Sequence, residues 1–330
     1  MNITQLKSTC CSAPIYRYGG KRRQCRHCKR TWSIRPKKRG PKRRIYREKK
    51  DDSTLNRYLV NYFGSLLAVA TEHEVSPSTL QRRVVRSRAR LPHEYSTLDS
   101  SSIYILLADA LTQTIQGKPY TTYLILARAA SQSTAQVAHV HTTAGHESGI
   151  QWQKAYTALP DSLRAQVKAL VCDGHPGLTR LASLHGWVLQ RCCFHVVQSV
   201  NKNMRLWHRA TADVYYVHEL IHTVLESADD VRVIAAMDML LTYAEKHSAT
   251  EIASIIRGLS QQFRHCRSYI YYPELHLPAT NNACESSFRR VRALQSKARG
   301  WRTPTSHTQW VHCVLLSAKD VRCLEGETRW

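Results

Sequence analysis

The stretch that most constrains the fold is Ala169-Leu-Val-Cys-Asp173-Gly-His-Pro-Gly-Leu178. Val167, Leu170 and Val171 suit a buried strand, Gly174 and Pro176-Gly177 punctuate it, and Leu178, Leu181 and Leu184 then recur at helical spacing. A strand, a tight turn and a helix in this order are the building unit of an open α/β sheet, which binds ligands in the crevice beyond its strand ends. Asp173 would stand in that crevice as a metal-binding carboxylate, although an isolated Asp-Gly also serves simply as a turn. The chemistry depends on finding partners for it.

The surrounding pattern supplies them. From Ile103 the chain reads as strands over 103–108, 120–127 and 134–141, a helix over 149–159 and the strand ending at Asp173, predicting a mixed sheet with helices on its faces. Asp109 follows Ile105-Leu-Leu-Ala108 directly, a second acid at a strand end. After a helix over 178–185, the run from Trp187 to Val197 reads as a fifth strand. Within it Cys192-x-x-His195 has the spacing of metal ligands, and equally that of two core residues on a buried strand. Residues 203–272 are almost wholly helix-periodic, with apolar i, i+3, i+4 spacing over 214–225, 231–243 and 252–263 and a capping-box pattern at Ser248-Ala-Thr-Glu251. A further helix, capped by Thr280 or Asn281, presents Glu285 in its second turn, with Phe288, Val291 and Leu294 inward and Arg289, Arg290 and Arg292 near the polar side.

Charge separates the N-terminus from this core. Residues 1–50 hold 18 Lys or Arg against one acid, Glu48, and so carry +17 of the formal +24 of the 330-residue chain. The expected partner is a polyanion. Nucleic acid fits better than a membrane surface, because the basic segment is broken by Gly, Pro and Cys and has no apolar face. No apolar run approaches the roughly 20 residues that span a bilayer, and no signal core opens the sequence, so a cytoplasmic, nucleoid-associated protein is expected. In that compartment the 11 cysteines are thiols or metal ligands rather than disulfides.

Cys10, Cys11, Cys25 and Cys28 fall within a short basic segment and predict a small zinc ribbon over residues 1–34, Cys25-x-x-Cys28 being its knuckle. Adjacent Cys10 and Cys11 point to opposite faces of an extended chain, so one of them can be a bystander, with His27 as the alternative ligand. Residues 35–54 read as a linker in which Lys37, Lys38, Arg39, Arg43 and Arg44 dock on phosphates. Residues 55–92 read as a helix-turn-helix: Ser76 caps, Pro77 takes the first helical position, Leu80, Val84 and Val85 face inward, and Ser78, Thr79, Gln81, Arg82 and Arg83 line the exposed side of a recognition helix.

Taken together, Asp109, Val171-Cys-Asp173-Gly174, Gln190-Arg-Cys192-x-x-His195, the helical block and Thr280-Asn-Asn-Ala-Cys-Glu285 resemble the Mutator-type insertion-sequence transposases across roughly residues 100–310. The resemblance implies an α/β, RNase-H-like core over 93–200 and 276–330, interrupted by an all-helical insertion over 201–275, with an Asp-Asp-Glu triad. It also implies that Asp109, Asp173 and Glu285 hold two Mg2+ or Mn2+ ions, Asp109 bridging them, with Cys192 and His195 in support. The partners implied are double-stranded DNA, as terminal repeats and as target, and further copies of the chain assembled on it. The N-terminal arrangement is also similar to that of some bacterial element transposases. Two other readings compete: a DNA-binding regulator built on the same scaffold without catalysis, and a nuclease without strand transfer.

Overall fold

The computed structural model describes residues 10–17, 22–33, 70–71, 74–80, 82–83, 102–206, 212–248, 250–296, 303–318 and 320–323. The chain divides into two units, Met1–Asp51 and Asp52–Trp330. In the first, β1 (Ile15–Arg17), β2 (Arg22–Cys25) and β3 (Thr31–Ser33) form an antiparallel sheet in that order. Strands this short enclose little, and Cys25 is the one buried apolar residue among those described in this unit. The linker cations Lys37, Lys38, Arg39, Arg43 and Arg44 lie outside the described residues, as does most of 55–92. Within that stretch residues 77–80, 82 and 83 are helical, Ser76 Oγ accepts from the Thr79 amide at 3.2 Å, Leu80 is buried, and Ser78, Arg82 and Arg83 are exposed. Gln81, Val84 and Val85 are outside the described set.

The second unit is built on β4 (Tyr104–Ile115), β5 (Lys118–Ala129), β6 (Thr134–Ala144), then α1 (Gly149–Thr157), α2 (Asp161–Gln166), β7 (Val167–Cys172), α3 (Pro176–His185) and β8 (Val188–Arg191). Four longer helices follow: α4 (Cys193–Leu206), α5 (Ala212–Glu226), α6 (Asp230–Lys246) and α7 (Glu251–Cys266). A short α8 (Ser268–Tyr271) leads to α9 (Asn282–Gln295), α10 (Pro304–Leu316) and β9 (Val321–Arg322). The sheet runs β8-β7-β4-β5-β6-β9; β8, β7 and β4 pair in parallel, and β4-β5, β5-β6 and β6-β9 pair antiparallel. Both faces are covered, which is why the central strands read as continuous apolar runs. Ile105, Leu107, Leu111, Ala169 and Val171 pack with Phe288, Val291, Trp310 and Val311 of α9 and α10. Tyr104, Leu106, Ala108, Leu170 and Cys172 pack on the opposite side with Trp152, Leu163, Leu178 and Leu181 of α1, α2 and α3. A third core joins α4 to α7 through Val200, Ile221, Val224, Leu240 and Ile256.

Four local readings change. β4 does not stop before Asp109 but runs on to Ile115 and turns into β5 through Gln116 and Gly117, both at positive φ as a two-residue hairpin requires. The expected fifth strand over 187–197 ends at Arg191; Cys192 is a junction, and His195 lies in the first turn of α4. A short apolar run serves a strand or a buried helix alike, and here Val196, Val197 and Val200 are claimed by the helical core. Third, the capping box at Ser248 is not used: Thr250 is the N-cap of α7 and accepts from the Ala253 amide at 3.1 Å. In the same way Glu285 falls in the first turn of α9 rather than the second.

The helical block is closed by Arg267, which is fully buried at the end of α7. It donates to the carbonyls of Val224 and Ser227 at 2.8 and 2.7 Å, completing the exposed carbonyl end of α5, and reaches Tyr271 Oη at 2.9 Å and Asp230 at 3.4 Å. Arg267→Leu leaves those carbonyls buried and unpaired, and each such group costs about 1–3 kcal/mol. Urea denaturation is expected to show a loss of about 3 kcal/mol; a change below half that would mean water replaces the guanidinium.

Candidate active site

Asp173 leaves β7 one residue past its last strand position, and its Oδ1 accepts from the His175 amide at 2.9 Å, closing an Asx turn. Gly174 makes this turn at φ +96, a conformation side chains rarely adopt. Pro176 then opens α3 at its first position, with His175 Nδ1 accepting from the Gly177 amide at 3.0 Å. Asp109 lies in mid-strand, but the parallel ladder between β4 and β7 ends at Leu107 and Val171, so the carboxyl still stands beyond the end of that ladder. Strand alternation puts it on the face of Ile105, Leu107 and Leu111, the face covered by α9. It is 8% exposed, and its Oδ1 accepts from the Ala110 amide at 2.8 Å. Glu285 is half-buried on α9, beside the stripe that buries Cys284, Phe288 and Val291.

The three acid-bearing segments are cross-tied at the 190–193 junction. The Cys192 amide donates to the Cys172 carbonyl at 2.7 Å, and the Cys193 amide to the Ala279 carbonyl at 3.0 Å. Cys192 Sγ accepts from the Asn281 amide at 3.1 Å, and Asn281 Nδ2 donates to the carbonyl of Ala108 at 2.8 Å. Asn281 is therefore the N-cap of α9 by position, while its side chain serves β4 instead of the helix. Gln190, fully buried, donates to the Cys266 carbonyl at 3.0 Å and accepts from the Tyr269 amide at 2.8 Å, fastening the helical block to the same junction.

Glu285 and Asp173 both act on Asp109. Burial first, then the charges of Glu285 and Asp173, push Asp109 up to about 7. His195 Nε2 lies 3.2 Å from Glu285 Oε1. Burial lowers the affinity of that imidazole for a proton, but the Cys192 thiol and Glu285 together outweigh it and raise His195 to about 10. Glu285 is correspondingly lowered, by His195 first and then by Arg292, whose Nη1 is 3.9 Å from Oε2, and by Arg289. Cys192 and His195 thus sit beside Glu285, with the imidazole on a helix rather than on the expected strand.

A match to the family described as "Transposase, Mutator family" covers residues 91–321. The chain belongs to the Mutator family of transposases. The matched span includes all three acids, the junction and the helical block of the transposase, and begins beyond its N-terminal unit. No curated protein matches it in sequence. Among its described residues no helix is long and apolar enough to cross a membrane.

Two residues near the acids carry no motif that the sequence made visible. Glu147, in the loop after β6, accepts from Trp152 Nε1 at 2.7 Å; burial raises its carboxyl, and the charge of Asp173 adds to the rise. Its only signal in the sequence is a polar loop, Gly145-His-Glu-Ser, between a strand and a helix. The second is Arg191, at the end of β8.

The state of Asp109 has a measurable consequence for the transposase with no divalent ion added. The folded protein keeps this proton up to about 7, whereas an unfolded chain loses it near 3.9, at about the ordinary value. Between those values the native state holds more protons, so stability falls as pH rises. Asp109→Asn removes that penalty. Urea denaturation is expected to find the variant more stable at pH 8 by on the order of a few kcal/mol, and no different at pH 4. Equal stability at pH 8 would contradict the burial described here.

In the N-terminal unit, the Sγ atoms of Cys10, Cys11, Cys25 and Cys28 all lie within 4.8 Å of one another. Among the described residues this is the one group of three or more His, Cys, Asp or Glu side chains gathered closely enough to hold a metal ion; the three carboxyls of the core are coupled but less tightly drawn together. His27 is not in the group. The divergence expected of adjacent cysteines holds for extended chain, and residues 10–12 form a turn, with Ser12 at φ +52. The exposed Cys11 thiol is pushed up to about 12, first by its hydrogen bond with Cys28 and then by its contact with Cys10. A cation bound by the four thiols would favour the thiolate form of each.

Proposed function

We propose that this transposase recognises the ends of its own element and cuts and joins phosphodiesters with Asp109, Asp173 and Glu285 as ligands of two Mg2+ or Mn2+ ions. In this reading the second unit is an RNase-H-like core with α4 to α7 as its helical insertion. The observation that supports it most is that three carboxyls come from three separate segments of the matched span, and that burial first and then the charges of Glu285 and Asp173 push Asp109 up to about 7. Carboxylate oxygens are the donors that hard divalent cations prefer, and a cation would relieve the repulsion that raises Asp109. Asp109, on the central strand, would bridge, with Asp173 and Glu285 holding one ion each. Held by these residues, such ions would supply activation of the attacking water or 3′-hydroxyl and stabilisation of the leaving oxygen.

The protein's own groups would keep this donor set in order. His195 hydrogen-bonds Glu285 and fixes which oxygen faces the strand ends, and Cys192 supports His195. No side-chain nucleophile is needed, so no covalent protein–DNA adduct forms. The N-terminal cysteines would hold zinc, ordering a unit whose basic segment follows the phosphates, while Ser78, Arg82 and Arg83 meet base edges and backbone from a helix-turn-helix. Assembly of several copies on DNA, in the cytoplasm at the nucleoid, completes the reading.

Incubation with duplex carrying the element's terminal repeats and Mg2+ tests it. Nicks with free 3′-hydroxyls at the repeat boundary, and joined products at later times, are expected. Binding without nicking would favour the regulator, and nicking with no joined product the nuclease.

A further inference from the structure

We infer that Arg191 is a positioning residue for Asp173, supported in turn by Gln262 of the helical block. The inference rests on the reading of Asp173 as a metal ligand. The register of β7 and β8 pairs Cys172 with Arg191, so the arginine starts beside the last strand residue before the acid. Its guanidinium then turns across the Asp173–Gly174 turn. Nη2 donates to the Asp173 carbonyl at 3.3 Å, and Nη1 donates to Gln262 Oε1 on α7.

Between these two contacts the guanidinium fills the space that a side chain at Gly174 would occupy; a Cβ there would overlap Nε, Cζ and Nη2 together. Gly174 therefore does two things: it permits φ +96 and it admits the arginine. Nε is buried without a hydrogen-bond partner, so packing against the glycine holds this edge of the fork. What Arg191 fixes is the backbone of the turn, and through it the place of the Asp173 carboxylate. Gln262 is itself half-buried on α7, which gives the helical block a direct hold on the metal-binding turn. Lysine keeps the charge but cannot donate in two directions from one plane.

Residues that orient a metal ligand typically contribute 10–100-fold to metal affinity. Mn2+ binding to the full-length protein, followed by the loss of the free-ion electron paramagnetic resonance signal, reads this without DNA or turnover. Asp173→Ala is expected to lose the tight Mn2+ site. Arg191→Met and Arg191→Lys are each expected to weaken it by about tenfold or more, and Gln262→Ala by about threefold at unchanged melting temperature. If Asp173→Ala binds Mn2+ as the wild type does, the assignment of the acids is wrong. If Asp173→Ala loses Mn2+ while Arg191→Lys or Gln262→Ala binds it normally, the acids stand and the positioning role is overturned. These last two variants decide the matter even where Arg191→Met fails to fold.

Discussion

Alanine at any one of Asp109, Asp173 or Glu285 is expected to abolish nicking of terminal-repeat DNA while leaving binding of the same DNA intact. The loss should exceed a hundredfold, because a residue that merely orients a ligand already contributes roughly 10–100-fold and these would be the ligands themselves. A double substitution should be no worse than a single one, since groups that act as a unit lose their whole effect when one is removed. Binding is expected to survive because most of the excess positive charge, which would meet phosphate, lies in residues 1–50, far from the acids in sequence. Gel-based cleavage and mobility-shift assays on the same preparations check both halves. A variant that still nicks at more than a tenth of the normal rate removes its acid from the set.

Zinc removal is expected to have the second large effect, on the other unit. β1, β2 and β3 are three or four residues each, and Cys25 is the single buried apolar side chain described there, so the described residues form no apolar core to offset the entropy of ordering them. Structural zinc supplies about 10–16 kcal/mol of apparent binding free energy in small domains, and that energy is folding energy. Chelation, or Cys25→Ser, should therefore unfold this unit and sharply weaken end binding, while Mn2+ binding by the second unit persists. Elemental analysis of the purified protein should find one zinc per chain. A zinc-free protein whose circular dichroism ignores chelators would remove the claim.

How much of this was legible in the residues differs from element to element. The Asp173 turn was readable because three signals agree: an apolar run, an Asp-Gly, and a Pro-Gly ahead of periodic leucines. The helices of the inserted block were readable from spacing, to within a few residues at their ends. Asp109 was expected at the end of its strand, but β4 continues past it, and only the parallel ladder with β7 ends before it. Thr112, Gln113 and Thr114 form a polar tail paired with β5, and hydropathy does not show a strand whose partner is a hairpin arm. His195 was misassigned to a strand because the helical core that claims α4 also takes in residues as far along as Ala279, and Cys192 became the junction before that helix. Glu285 could be tied to the two aspartates only by family resemblance, since nothing local to α9 announces which sheet it will pack on. The hydrogen bonds of Asn281, Gln190 and Arg191 were invisible for the same reason: each joins segments distant in sequence.

The central claim is that these three carboxyls form one divalent-metal site. Anomalous scattering from crystals grown with Mn2+ tests it most directly. Two peaks about 4 Å apart, bounded by Asp109, Asp173 and Glu285, are the result this account expects. Mn2+ ordered elsewhere, with the three carboxyls empty and held more than about 10 Å apart, a span no pair of ions so spaced could bridge, would contradict it.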